Sequence, residues 1–187
     1  MIFGKRILGF VPCFLVLLIF LTYGLMAQVE EQTVLPFRSG DFIKEWLVCG
    51  PFPAGGGQNI YTDFLSGQGG EGNIHPVVDM KHPSSSVQEG QVSWKRIHAS
   101  EDGKLDLRKN FNPNQNNIAY ASVLVRCERQ TPALLKLGSN DMLAVWLNGR
   151  QVYVFPDLRA SGPDVDKVAV NLKQGDNLLL AKVQNVG

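Results

Sequence analysis

Groups that commonly carry chemistry are scarce in this chain. Only three of its 187 residues are histidine and three are cysteine. His75, His82 and His98 stand apart, without the H-x-H or H-E-x-x-H spacing that turns two imidazoles onto one metal. No G-x-S-x-G elbow is present, and the serines at 84–86 lie in a polar, proline-flanked stretch, so nucleophilic catalysis has no evident seat. Basic clusters are missing as well, which removes the electrostatic grip that nucleic acid or an anionic bilayer requires. No segment sustains a helical period. The run GQGGEG at 67–72 matches G-x-G-x-x-G in letters. It is followed by NIHPVVD, where Pro76 breaks the helix that a dinucleotide site needs, and it reads as a loop.

The one long apolar run is at the start. Lys5 and Arg6 precede Ile7 to Ala27, after which the chain turns polar. A basic start, an apolar core and a small final residue predict a signal peptide over 1–27, with an uncleaved membrane anchor as the alternative. Either form places the remainder outside the cytoplasm, as a secreted, periplasmic or cell-surface protein that meets a membrane only through this segment. Residues 1–27 hold two basic residues and no acid, so the other 160 carry 16 basic against 17 acidic residues. That length is enough for one domain with a core of its own. Cys49 and Cys127 remain there. In an oxidising compartment they can form a disulfide, or they can be two small buried hydrophobes.

What the chain does have is two-residue periodicity. Residues 28–40 read as a polar linker, and 41–52 as a strand stopped by Gly50, Pro51 and Pro53. A long irregular loop follows at about 54–90, with a short helical turn near YTDFL. Beyond it QVSWKRIHA reads as one strand and KLDL as a short one. NIAYASVLVRC puts Ala119, Ala121, Val123, Val125 and Cys127 on one face, and PALLKLG follows. Leu143, Val145 and Leu147 share a face in MLAVWLNG, which Val152 and Val154 answer in RQVYVF. DKVAVNL and NLLLAKVQN close the series. Asn148-Gly149 predicts a type I′ hairpin, because both central residues need positive φ, and KQGDN predicts another turn. A strand every eight to twelve residues predicts an all-β, antiparallel two-sheet sandwich.

The segments EWLVCGPFP, AYASVLV, LGSNDMLAVWLNGRQVY and DKVAVNLKQGDNLLLAKV, in this order, resemble galactose-binding-like β-sandwich modules. Such jelly-roll modules belong to large secreted bacterial proteins and are often attached to glycoside hydrolases. The resemblance covers 41–187, and Ser139, Asp141, Trp146, Asn148 and Gly149 before a valine strand carry most of it. Met142 stands where the family has an acidic residue or glycine. The family continues past the position of Gly187 into a further strand, so the domain is expected to be truncated there and a downstream domain is expected to be attached. The resemblance implies a jelly roll and a non-catalytic accessory module, with a structural calcium as a further implication; Asp141, Asp164 and Asp166 are its candidate ligands.

For a sugar, the useful groups are exposed aromatic rings edged with polar side chains. Trp146 lies opposite in parity to Leu143, Val145 and Leu147, and Tyr153 and Phe155 share the corresponding parity on the next strand. These predict an outward aromatic platform with Arg150 and Arg159 at its rim, docking a poly- or oligosaccharide. Trp46 and Trp94 are expected in the core. The alternative is a structural spacer between domains. A hydrolase ranks last, because two carboxylates facing across a cleft are needed and the loop acids, among them Asp63, Glu71 and Asp79, show no such pairing in sequence.

Overall fold

The structure is a computed structural model that describes residues 34–36, 40–55, 59–160 and 162–186. The expected signal segment, 1–27, lies outside the described residues. Among the described residues no helix is long and apolar enough to cross a membrane.

The strands are β1 (Val34–Pro36), β2 (Glu45–Pro53), β3 (Lys81–Pro83), β4 (Gln91–Ser93), β5 (Lys95–His98), β6 (Asn117–Cys127), β7 (Thr131–Leu137), β8 (Met142–Leu147), β9 (Arg150–Phe155), β10 (Asp166–Leu172) and β11 (Gly175–Asn185). Among the described residues the only helical pieces are two 3-10 turns, Ser66–Gln68 and Leu107–Lys109. The fold is thus all-β. One seven-stranded sheet runs β5-β2-β6-β11-β8-β9, with β1 added to β6, while β7–β10 and β3–β4 form two-stranded ribbons. Every pairing is antiparallel except β1 with β6.

Both faces of the large sheet are buried, and β8 shows why its sequence is apolar throughout. Met142, Ala144 and Trp146 enter one core and Leu143, Val145 and Leu147 the other, so all six consecutive residues are covered. The β7–β10 ribbon closes the second face through Leu135, Leu137, Val170 and Leu172. The first face is closed by the irregular segment after β2, through Ile60, Leu65, Ile74, Val92 and Trp94. An antiparallel two-sheet sandwich was expected, with no widths assigned to its sheets. The arrangement is sandwich-like, with one wide sheet, a narrow ribbon on one side and a largely loop-built layer on the other.

Several local expectations change for related reasons. Val34–Pro36, within the segment read as a linker, forms a strand on β6. β2 runs on to Pro53, because the register slips between Cys49 and Phe52 and a bulge takes up Gly50 and Pro51. The stretch read as one strand after Gly90 divides at Trp94: β4 pairs with β3 and β5 with β2. Trp94 itself is fully buried, with Nε1 donating to His82 Nε2 at 2.9 Å and the backbone bonded to Asp79 and Met80. KLDL forms no strand; Leu107–Lys109 is a 3-10 turn. The helical turn expected near YTDFL falls just after it, at Ser66–Gln68.

The Asn148-Gly149 turn is as expected, with φ of 52° and 79°. Its glycine has a second duty. A Cβ on Gly149 would lie 2.0 Å from the Gly72 carbonyl oxygen, so the loop layer presses directly on the hairpin tip. Gly175 has a similar φ of 84° but open space around it. Gly175→Ala is therefore expected to cost about 1–2 kcal/mol, from left-handed backbone alone. Gly149→Ala is expected to cost about 3 kcal/mol or more, because the loop must also retreat. Urea denaturation of both variants checks the difference, and equal losses would show that the loop does not bear on the hairpin.

Candidate functional site

The residues nominated from sequence do not form one aromatic platform. Trp146 does face away from Leu143, Val145 and Leu147, but that face lies beneath the loop layer and leaves the indole 7% exposed. The β8–β9 register slips between Val145 and Trp146, setting Tyr153 opposite Val145 and Phe155 opposite Leu143. Tyr153 and Phe155 consequently pack on the second core, across the sheet from Trp146. Arg150 is exposed beside the hairpin turn.

Arg159 is engaged within the fold. It pairs with Asp166 through two contacts of 2.5 and 2.9 Å, donates to Ser139 Oγ at 2.8 Å and lies 4.1 Å over the Phe155 ring. Tyr153 donates to the same Asp166 at 2.5 Å. The hydrogen bonds from Arg159 hold the Asp166 carboxyl below its ordinary range, while burial pushes the Tyr153 phenol up. Asp164 faces Lys136 at 3.4 Å, and Asp141 Oδ2 accepts from the Val186 backbone at 3.0 Å. The three acids nominated for calcium thus answer different partners. Among the described residues no group of three or more His, Cys, Asp or Glu is placed to hold a metal. Cys49 and Cys127 are free thiols in different cores with the sheet between them, and burial pushes Cys49 up to about 12.

The most heavily buried charge is one the sequence reading passed over. Lys182 sits mid-strand in β11, fully buried, and its ammonium donates to the carbonyls of Ile60 and Thr62 at 2.6 and 2.7 Å and to Glu71 Oε1 at 2.5 Å. Tyr120 donates to the same Glu71 oxygen at 2.6 Å and accepts from the Phe64 backbone. Asp63 caps the arrangement by accepting from the Leu65 and Glu71 amides. Burial pushes the Glu71 carboxyl up and the Lys182 ammonium down, and each is opposed by its partner. Three acceptors around one ammonium saturate its donors, which makes the cluster a clamp between loop and sheet.

An open site lies elsewhere on the loop-covered side. Where the bulge at Gly50-Pro51 interrupts β2, a cleft of about 390 Å³ opens, lined by Gln91 of β4, Lys95 of β5 and the loop residues Asn110, Phe111 and Asn112. The volume falls in the range of small-ligand sites. Its walls are held from behind: Ser84 Oγ donates to the Pro51 carbonyl at 2.6 Å, and Asn110 Nδ2 to the Asp106 carbonyl at 2.8 Å. The lining offers amides, one ammonium and one carboxylate, Glu89, with the half-buried Phe111 ring as its aromatic surface. A lone carboxylate cannot supply the acid and base pair of glycoside hydrolysis.

No family model matches this chain, and no curated protein does. Among solved structures it is similar to a β-glucuronidase of Ruminococcus gnavus in complex with uronic isofagomine. The identity is 11%, the TM-score is 0.40, and the match covers 83% of this chain and 23% of that one. The chain therefore spans about a quarter of that enzyme's length.

The clamp makes its own prediction. Lys182→Met is expected to lose about 3–5 kcal/mol, because Glu71 stays buried without its counter-charge. Adding Glu71→Leu is expected to restore only part, since the carbonyls of Ile60 and Thr62 remain without a donor. In the single variant the Glu71 carboxyl still has its pKa raised by burial. A carboxyl whose folded pKa exceeds the unfolded one favours the fold at low pH and loses that contribution as pH rises through the folded value. The deficit is therefore largest at neutral pH and shrinks on acidification, as thermal melts across pH will show. A pH-independent deficit would mean that Glu71 is not the stranded group.

Proposed function

We propose that this chain is a non-catalytic accessory module, exported from the cytoplasm, that docks on carbohydrate through the cleft at the β2 bulge. In this reading its architecture is a galactose-binding-like jelly roll, and its role is to keep an attached activity close to a polymeric substrate. Docking raises the local concentration of that activity without any reaction at the module itself.

The observation that carries the reading is the lining of the cleft. Sugars present hydroxyls in fixed directions around an apolar ring face. Asn110, Asn112, Gln91, Glu89 and Lys95 provide planar or multiply donating polar groups, and Phe111 an apolar ring beside them. The all-β scaffold supports the reading, since it holds the cleft walls on paired strands and pinned turns. The lone carboxylate favours binding over hydrolysis.

A second reading, a spacer between domains, has one observation in its favour. Leu134, Leu158 and Val165 are more than half exposed, at 53%, 62% and 54%, around the β7–β10 ribbon. Exposed apolar side chains of this kind suit contact with another domain.

Calorimetric titration against soluble oligosaccharides, after a glycan-array screen, separates the two. Phe111→Ala and Asn112→Ala are each expected to weaken binding roughly tenfold, about 1.4 kcal/mol, while leaving the melting curve in place. A correctly folded protein that binds no glycan would sink the docking reading and leave the spacer.

A further inference from the structure

The turn that carries Tyr61 is built with unusual care for a surface element. Tyr61 is 64% exposed, the most exposed aromatic among the described residues. The residues on either side of it are both tied down, because the Ile60 and Thr62 carbonyls accept from the one buried Lys182 ammonium. The Ile60 side chain is buried in the first core. The Asn59 amide donates to Gln184 Oε1 at 2.9 Å, and Thr62 closes the turn by donating to the Asn59 carbonyl at 3.0 Å. Lys182, Gln184 and the Ile60 side chain are buried below the turn, and Tyr61 is left in solvent.

Its position relative to the cleft follows from the strand register. Gln184 of β11 pairs with Ile118 of β6. On the other side of Ile118, Gly50 of β2 packs against its carbonyl, the Cβ position lying 3.1 Å away. The Tyr61 turn and the bulge that opens the cleft therefore flank one residue of β6 at the same end of the sheet. Two strand spacings separate their footings, about 10 Å.

We propose that Tyr61 is a second sugar-stacking contact and that the ligand is an extended oligosaccharide or polysaccharide chain, bound across the end of the sheet from the cleft to this ring. The inference rests on the carbohydrate reading above and adds the ligand's length. A turn whose backbone is fixed before binding loses little freedom when its ring stacks, which is the benefit of mounting it on a saturated buried clamp. A pyranose chain presents ring faces at regular intervals, so one chain can occupy cleft and ring together.

The test is calorimetry on the full chain with cello-, xylo- and galacto-oligosaccharide ladders, each from monosaccharide to hexasaccharide. In the series that binds, affinity is expected to rise with length. Tyr61→Ala is expected to remove about tenfold of hexasaccharide affinity and to leave the shortest ligand that binds unaffected, whereas Tyr61→Phe retains the gain. Short ligands bound by the wild type with no length dependence, or a Tyr61→Ala loss equal at all lengths, would overturn the extended site and leave the cleft reading standing. If Phe111→Ala and Tyr61→Ala both change nothing because no member of any ladder binds, the carbohydrate reading falls and this inference with it.

Discussion

The loop layer depends on one buried ammonium. Lys182 comes from the middle of β11, a strand bounded by β6 and β8, and reaches into a segment with little regular structure. Burying an isolated lysine is expensive, and this one is tolerated because all three of its donors are taken and a carboxylate lies among the acceptors. The arrangement is mutual. The carbonyls of Ile60 and Thr62, turned inward with no strand to pair with, would be unsatisfied without it.

That clamp explains how a long irregular segment can form half of a core. Ordering a loop costs about 1–2 kcal/mol per residue in backbone entropy. The segment offsets this by burying Ile60, Leu65, Ile74 and Trp94 against the sheet, with polar bonds at the points where its backbone turns inward. The consequence for function is spatial. With both faces of the sheet covered, binding groups on the strands themselves are hidden, and open chemistry is confined to loop tips, bulges and edges. The cleft at Gly50-Pro51 and the ring of Tyr61 are of that kind.

Much of the fold was legible because periodicity reports which residues share a face. Asn117–Cys127, Asp166–Leu172 and the Asn148-Gly149 hairpin stand where their alternation and turn chemistry placed them. Other elements escaped the same logic. β1 is three residues long and has no period, and β4 and β5 are joined through Trp94 without a turn residue to mark the change of partner. Trp146 was read correctly for parity and wrongly for exposure, since alternation separates two faces without saying whether either meets water. Tyr153 and Phe155 were displaced by a one-residue slip in the hairpin, which reverses the face of everything beyond it.

The site was far less legible than the fold. Lys182 looked like an ordinary polar position in NLLLAKVQN, and its partner Glu71 is 111 residues away. Only a lysine between Ala181 and Val183 on a strand buried on both faces hinted that its charge would need an internal partner. Sequence by itself determined the longer strand-forming segments, the tight turn at Asn148-Gly149 and the all-β class, because these depend on backbone preference and on neighbours a few residues apart. Tertiary structure alone decided which face is covered, which charges are spent inside and where solvent reaches a ring or a cleft. Those outcomes depend on an aperiodic segment packing across the sheet, and contacts between residues so distant leave no local pattern to read.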